Sequence, residues 1–166
     1  MDIILIISAG LAVVLYIWYA KIVARRNTAS EALSGIDVQL TKRSDLIPNI
    51  LAIAKKFMKH EKELLEEVTK LRSKATAGYD TVDPKQVAKH FEDSAALGAQ
   101  MGKLMISMEA YPDLKSDETM VQAQKTYNEV EAQIAAARRF YNSAVSDLNN
   151  SIEIFPGSLL APLANS

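Results

Sequence analysis

Two kinds of hydrophobic pattern follow one another along the chain. From Ile3 to Ala20 the stretch "IILIISAGLAVVLYIWYA" runs eighteen residues without a charge, about the least that crosses a bilayer as a helix. Beyond it, apolar residues fall at alternating steps of three and four. Ala29, Leu33, Ile36, Leu40, Arg43 and Ile47 form one set. Ile50, Ala54, Phe57, Glu61, Leu64, Val68, Leu71 and Ala75 form a second. Val87, Phe91, Ser94, Gly98, Met101, Met105 and Met108 form a third. Met120, Ala123, Tyr127, Val130, Ile134, Ala137, Tyr141, Ala144 and Leu148 form a fourth. This 3.5-residue average predicts helices that pack nearly parallel to one another with a left-handed twist.

Turn signals divide the sets. Asp45 with Pro48 reads as a helix start, so a first corner is expected near Ser44. "DPKQ", Asp83 to Gln86, supplies a cap, a proline in the first turn and a glutamine three residues after the cap. In "YPDLKSDE" Pro112 stops one helix and Ser116 is a cap for the next. "FPGSLLAPLANS" ends the last helix in an apolar tail. The expected fold is all-α: a transmembrane helix that continues into an antiparallel four-helix bundle. Residues 1–26 are the anchor and its basic flank, 27–155 the bundle and 156–166 the tail.

Charge placement orients the anchor. Lys21, Arg25 and Arg26 follow the apolar run and only Asp2 precedes it. A cleaved signal peptide has its positive charge first. The reversed order predicts an uncleaved single-pass anchor, N-terminus outside and bundle in the cytoplasm. Tyr16, Trp18 and Tyr19 sit at one end of the run, where aromatic rings favour the headgroups. The 166 residues carry a net charge of −1 and no cysteine. The balance argues against nucleic-acid binding, and the missing thiols exclude disulfides, thiolate zinc sites and cysteine nucleophiles.

Candidate chemistry is sparse. With the corner near Ser44, the bundle tip far from the membrane would gather Lys42, Arg43, Asp45, Asp113, Lys115 and Asp117. Those charges either cap helices in solvent or dock a partner. Glu61 occupies a seam position roughly 22 Å below that tip at 1.5 Å per residue, near the heights of Glu131 and Asn27. A polar layer that fixes register is the expectation there. A metal is not expected, because di-iron bundles use Glu-x-x-His pairs and His60 and His90 form none. Arg138, beside Arg139, is placed to pair with Glu66 and Glu67, an expectation preferred to phosphate or lipid binding by the two arginines. No catalytic residue or cofactor is indicated. Ala95, Gly98 and Gly102 suit close helix packing or self-association. In the tail, Phe155, Leu159, Leu160 and Leu163 are expected at the membrane end of the bundle, against lipid or a neighbouring subunit.

Five blocks then point to a family. "IDVQLTKRSDLIPNI", "KHEKELLEEV", "EAYPDLK", "EAQIAAARRFYN" and "NNSIEIFP" resemble, in order, the blocks of the LemA family of bacterial membrane proteins, from about Asn27 to Pro156. Asp37, Arg138, Arg139, Tyr141 and Asn142 lie within those blocks. The resemblance implies a membrane helix followed by a helical bundle, with no established catalytic activity and a link to membrane organisation. The expected function is a non-enzymatic scaffold or adaptor at the bacterial inner membrane, contacting lipid and self-associating. Its rivals are an accessory subunit offering its tip to a membrane enzyme such as a protease, and a metal-dependent enzyme.

Overall fold

A computed structural model describes residues 1–164. It is all-helical, with no strand among those residues: α1 (Asp2–Phe57), α2 (Lys62–Ala75), α3 (Pro84–Met108), α4 (Pro112–Lys115), α5 (Glu118–Glu153) and α6 (Gly157–Leu160). They form two compact units, Met1–Asp37 with the chain from Ile134 onward, and Val38–Gln133. Both α1 and α5 contribute to each unit.

The first expected corner is absent. α1 runs unbroken through Ser44, Asp45 and Pro48 and ends at Phe57. A proline inside a helix removes the bond from its own nitrogen to the carbonyl four residues earlier, at a cost of about 3 kcal/mol. Here that carbonyl belongs to Ser44, and Arg72 Nε donates to it at 2.7 Å. The Pro48 ring lies at the exposed surface. The lost bond is replaced from α2, and the helix continues.

The chain turns instead at Met58–Glu61. Lys55 and Lys56 lie in the last turn of α1 and Glu63 in the first turn of α2, each sign at the helix end whose dipole favours it. Met58 is buried beneath the turn. At the next connection Asp83 Oδ1 accepts from Lys85 N at 2.9 Å and Oδ2 from Gln86 Nε2 at 3.0 Å, with Pro84 in the first turn. The expected α3 cap is therefore present. Gln86 and the Lys85 amide hold the Asp83 carboxyl below its ordinary value. α5 starts on Asp117, whose Oδ1 accepts from Met120 N at 2.9 Å; Ser116 bonds back to the Asp113 carbonyl instead.

The Val38–Gln133 unit has one core. Ile47, Ile50 and Ala54 of α1 meet Leu65 and Val68 of α2, Leu97, Met101 and Leu104 of α3, and Met120 and Tyr127 of α5. Full burial of each large apolar side chain contributes roughly 1.5–3 kcal/mol. The other unit has two smaller clusters. Ala29 and Ala32 pack with Ala144, and Ile22 packs with Leu160 and Ala164.

Candidate functional site

A charged side chain lies on the buried seam of α1. Arg43 keeps only 3% of its side-chain surface exposed. Its Nη2 donates to both the carbonyl and the Oγ of Ser94, each at 2.8 Å, and its Nη1 donates to Glu131 Oε1 at 3.1 Å. The alternating spacing explains why it is inside: position 43 lies three residues after Leu40 and four before Ile47. Gly98 makes room for it, since a Cβ there would stand 3.1 Å from Nη1. The Tyr127 hydroxyl is driven well above its ordinary value, first by burial and then by the Glu131 carboxylate, which outweighs Arg43. The phenol therefore stays protonated at neutral pH. The layer joins α1, α3 and α5 by charge-assisted bonds, which restrict register, and presents no activated nucleophile.

This layer corrects the expected tip. Arg43 is a core residue, and Lys42 and Asp45 lie exposed along α1 rather than at a corner. One end of the Val38–Gln133 unit is made by the Met58–Glu61 turn and the region around α4. There Tyr111 donates its hydroxyl proton to Glu61 Oε1 at 3.0 Å. That bond, then desolvation, raises the Tyr111 phenol above 10.0. Glu61 thus does not share a level with Glu131, as the sequence-based heights suggested. Asp113 and Lys115 are exposed there, Lys115 pairs with Glu109, and Asp117 is engaged in its cap. A cavity of about 370 Å³ opens beside the turn, with Lys55, Lys59 and Lys62 around Met58 and Leu65. Among the described residues no three His, Cys, Asp or Glu side chains converge as a metal site requires.

In the other unit, the apolar part of α1 has no buried residue across its most apolar eighteen-residue window. Charged side chains engage just past the end of that run. Lys21 Nζ lies 4.6 Å from the centre of the Trp18 ring, Arg25 Nη1 bonds Asp147 Oδ2 at 2.8 Å, and Arg26 Nη1 donates to the Ala164 carbonyl at 2.9 Å. Of the tail residues expected to face a membrane, Phe155, Leu159 and Leu163 are exposed. Leu160 is not; it is buried against Ile22. Asp37 is half-buried on α1. On α5, Tyr141 packs on the alanine cluster, Arg138 is half-buried, and Arg139 and Asn142 are exposed. Glu66 and Glu67, the partners expected for Arg138, pair within α2 with Lys62 and Lys70 at 3.7 Å.

The sequence profile of the LemA family matches residues 32–166. The chain belongs to the LemA family. The match takes in the buried arginine layer, the α4 region and the tail, so these features lie in the LemA part of the chain. The whole apolar run of α1, Ile3–Ala20, precedes it. No curated protein matches the chain.

Residues that no sequence motif singled out as a site nonetheless build these contacts: Arg72, Ser94, Tyr111, Tyr127, Arg25 and Asp147. Ser94, Gly98 and Tyr127 were on the seams already. The readable signal was a small or polar residue on two seams facing an arginine on a third.

Proposed function

We propose that this LemA-family protein is a non-enzymatic, membrane-anchored scaffold or adaptor of the bacterial inner membrane. In this reading α1 crosses the bilayer once with its N-terminus outside. It then continues into a cytoplasmic antiparallel four-helix bundle that self-associates. The observation that carries the reading is the two-part character of α1. Its apolar window holds no buried residue, whereas Ala29, Leu33, Ile36, Leu40, Arg43, Ile47, Ile50 and Ala54 are all buried on the same helix. Ile3, Ile4, Ile6 and Ile7 are 66–73% exposed, and transfer of such side chains from water is worth roughly 1.5–3 kcal/mol apiece. Lys21, Arg25 and Arg26 on one flank support the orientation. Ala95 and Gly102 are exposed on α3, with open space beside Gly102, which supports a face for a second copy. Native mass measurement of nanodisc-extracted particles tests the proposal. A homo-oligomer is expected; a strict monomer without partners contradicts self-association.

A second reading is favoured by one feature. Lys55, Lys56, Lys59, His60 and Lys62 are all exposed around the Met58–Glu61 turn, beside the 370 Å³ cavity. These cations, set among exposed Glu63 and Glu66, suit acidic groups on a membrane-enzyme partner. A second protein in fixed ratio in the extracted particle would favour this reading.

A further inference from the structure

We propose that Ile154, Phe155, Leu159 and Leu163 form a second membrane contact, an outward apolar face of the tail that lies in the headgroup boundary beside α1. The inference rests on the reading that the apolar run of α1 occupies a bilayer, and it adds a site to that reading.

Four observations carry it. The first is position. Leu160 and Ala164 are buried against Ile22, and Leu15 and Trp18 pack on the same cluster. Leu15 and Trp18 belong to the uncharged run Ile3–Ala20. At 1.5 Å per residue, Ile22 is only about 3 Å along the axis from the end of that run. A bilayer that holds the run therefore brings its headgroups to the tail.

The second is the split of the tail into two faces. Gly157, Leu160, Ala161 and Ala164 point inward and are buried. Phe155, Leu159 and Leu163, spaced by four residues, are 74%, 64% and 72% exposed, and Ile154 is 56% exposed. Inward residues fix the segment on α1 and α5, and the outward ones keep more than half of their surface uncovered among the described residues. Gly157 is required for this close seating, because a Cβ there would overlap the Ser151 carbonyl oxygen.

The third is charge. No ionisable side chain occurs from Ile154 to Ala164, whereas Lys21, Arg25 and Arg26 lie just beyond the run, where cations meet lipid phosphates. The fourth is the backbone. Non-helical chain enters the boundary at lower cost when its polar groups are paired. Amides of Gly157, Leu159, Ala161, Leu163 and Ala164 all donate to carbonyls between Ile154 and Ala161. Pro156 and Pro162 have no amide proton to satisfy, and Arg26 covers the Ala164 carbonyl. Two lipid contacts on one unit would fix the rotation of α1 about its axis, which a single cylindrical span leaves free.

The test uses the full chain in nanodiscs that hold one copy each, with Trp18→Phe as background. Single tryptophans replace Leu159, Leu163, Leu11 or Ile106, all exposed positions. The quenchers are phospholipids brominated near the headgroup end of the acyl chains, which report the tail positions, and near the methyl end, which report Leu11, about 13 Å along the axis from the end of the run. Fluorescence at Leu159→Trp and Leu163→Trp is expected to fall about twofold, as for an apolar face ~5–10 Å into the boundary, while Ile106→Trp is unaffected. If Leu11→Trp is quenched and the two tail positions are not, the second contact is overturned while the anchor stands. If none is quenched, the anchor reading fails as well. Tail tryptophans that are unquenched in single-copy discs but become blue-shifted in multi-copy particles identify a second chain as the cover, and that too overturns the proposal.

Discussion

Arg72 donates from Nε to the carbonyl oxygen of Ser44 at 2.7 Å, the carbonyl that Pro48 leaves without its helical partner. This contact turns an apparent helix start into the middle of a 56-residue helix. It also makes the two residues depend on each other. Arg72→Leu leaves the buried Ser44 carbonyl unpaired, a loss of about 1–3 kcal/mol. Pro48→Ala restores an N–H that can serve the same oxygen. In the Pro48→Ala background the Arg72→Leu penalty is therefore expected to shrink, with a coupling of roughly 1 kcal/mol in a double-mutant cycle. Additive penalties would mean that Arg72 acts elsewhere.

Asp45 gives a sharper contrast. As an N-cap its loss would cost on the order of 1 kcal/mol. As an exposed residue inside α1 it predicts an Asp45→Ala change within about 0.5 kcal/mol. Urea unfolding of the detergent-solubilised chain separates the two.

The buried layer predicts asymmetry between its partners. Arg43→Ala empties the space beside Gly98 and strands Ser94 and Glu131, with a loss on the order of 3 kcal/mol, at the low end for a broken buried pair because Glu131 keeps 36% exposure and can rehydrate. Glu131→Gln keeps a hydrogen-bond acceptor and should cost less. Equal losses in thermal melts would show that the ion pair, rather than the Ser94 contacts, dominates.

How much of this was legible in the sequence is clearest along α1. The steps Ala29, Leu33, Ile36, Leu40, Arg43, Ile47, Ile50, Ala54 keep one phase through Ser44, and every one of those positions is buried. The periodicity was sound, and the proline signal misled because the residue that replaces its bond, Arg72, is 28 positions away. The true turn contains neither glycine nor proline. Its mark was the switch from Lys55 and Lys56 to Glu61 and Glu63, a dipole signal weaker than a proline. Moving the corner by about fourteen residues then carried Arg43 from a tip into the core and Glu61 from mid-helix to a turn. The Asp83 cap was readable because all its partners lie within three residues.

The Tyr111–Glu61 bond gives a pH prediction. Glu61 raises the Tyr111 phenol above 10.0, so the folded chain holds that proton to higher pH than the unfolded chain does. The contribution is complete below about pH 10 and is lost as pH rises through the folded value. Glu61→Gln removes the leading cause. Its stability is expected to fall less steeply than that of the parent above about pH 10. Parallel alkaline limbs would show that the bond does not couple to folding.

The central claim is that α1 holds the protein in the membrane with the helical domain on the cytoplasmic side. The chain has no cysteine, so one placed at exposed Ser73 on α2 reports alone. Labelling of intact cells with a membrane-impermeant thiol reagent, before and after lysis, is the most direct measurement. Protection in intact cells and full labelling after lysis, with the protein in the membrane fraction, is the predicted result. Labelling without lysis, or recovery of the chain in the soluble fraction, would contradict it.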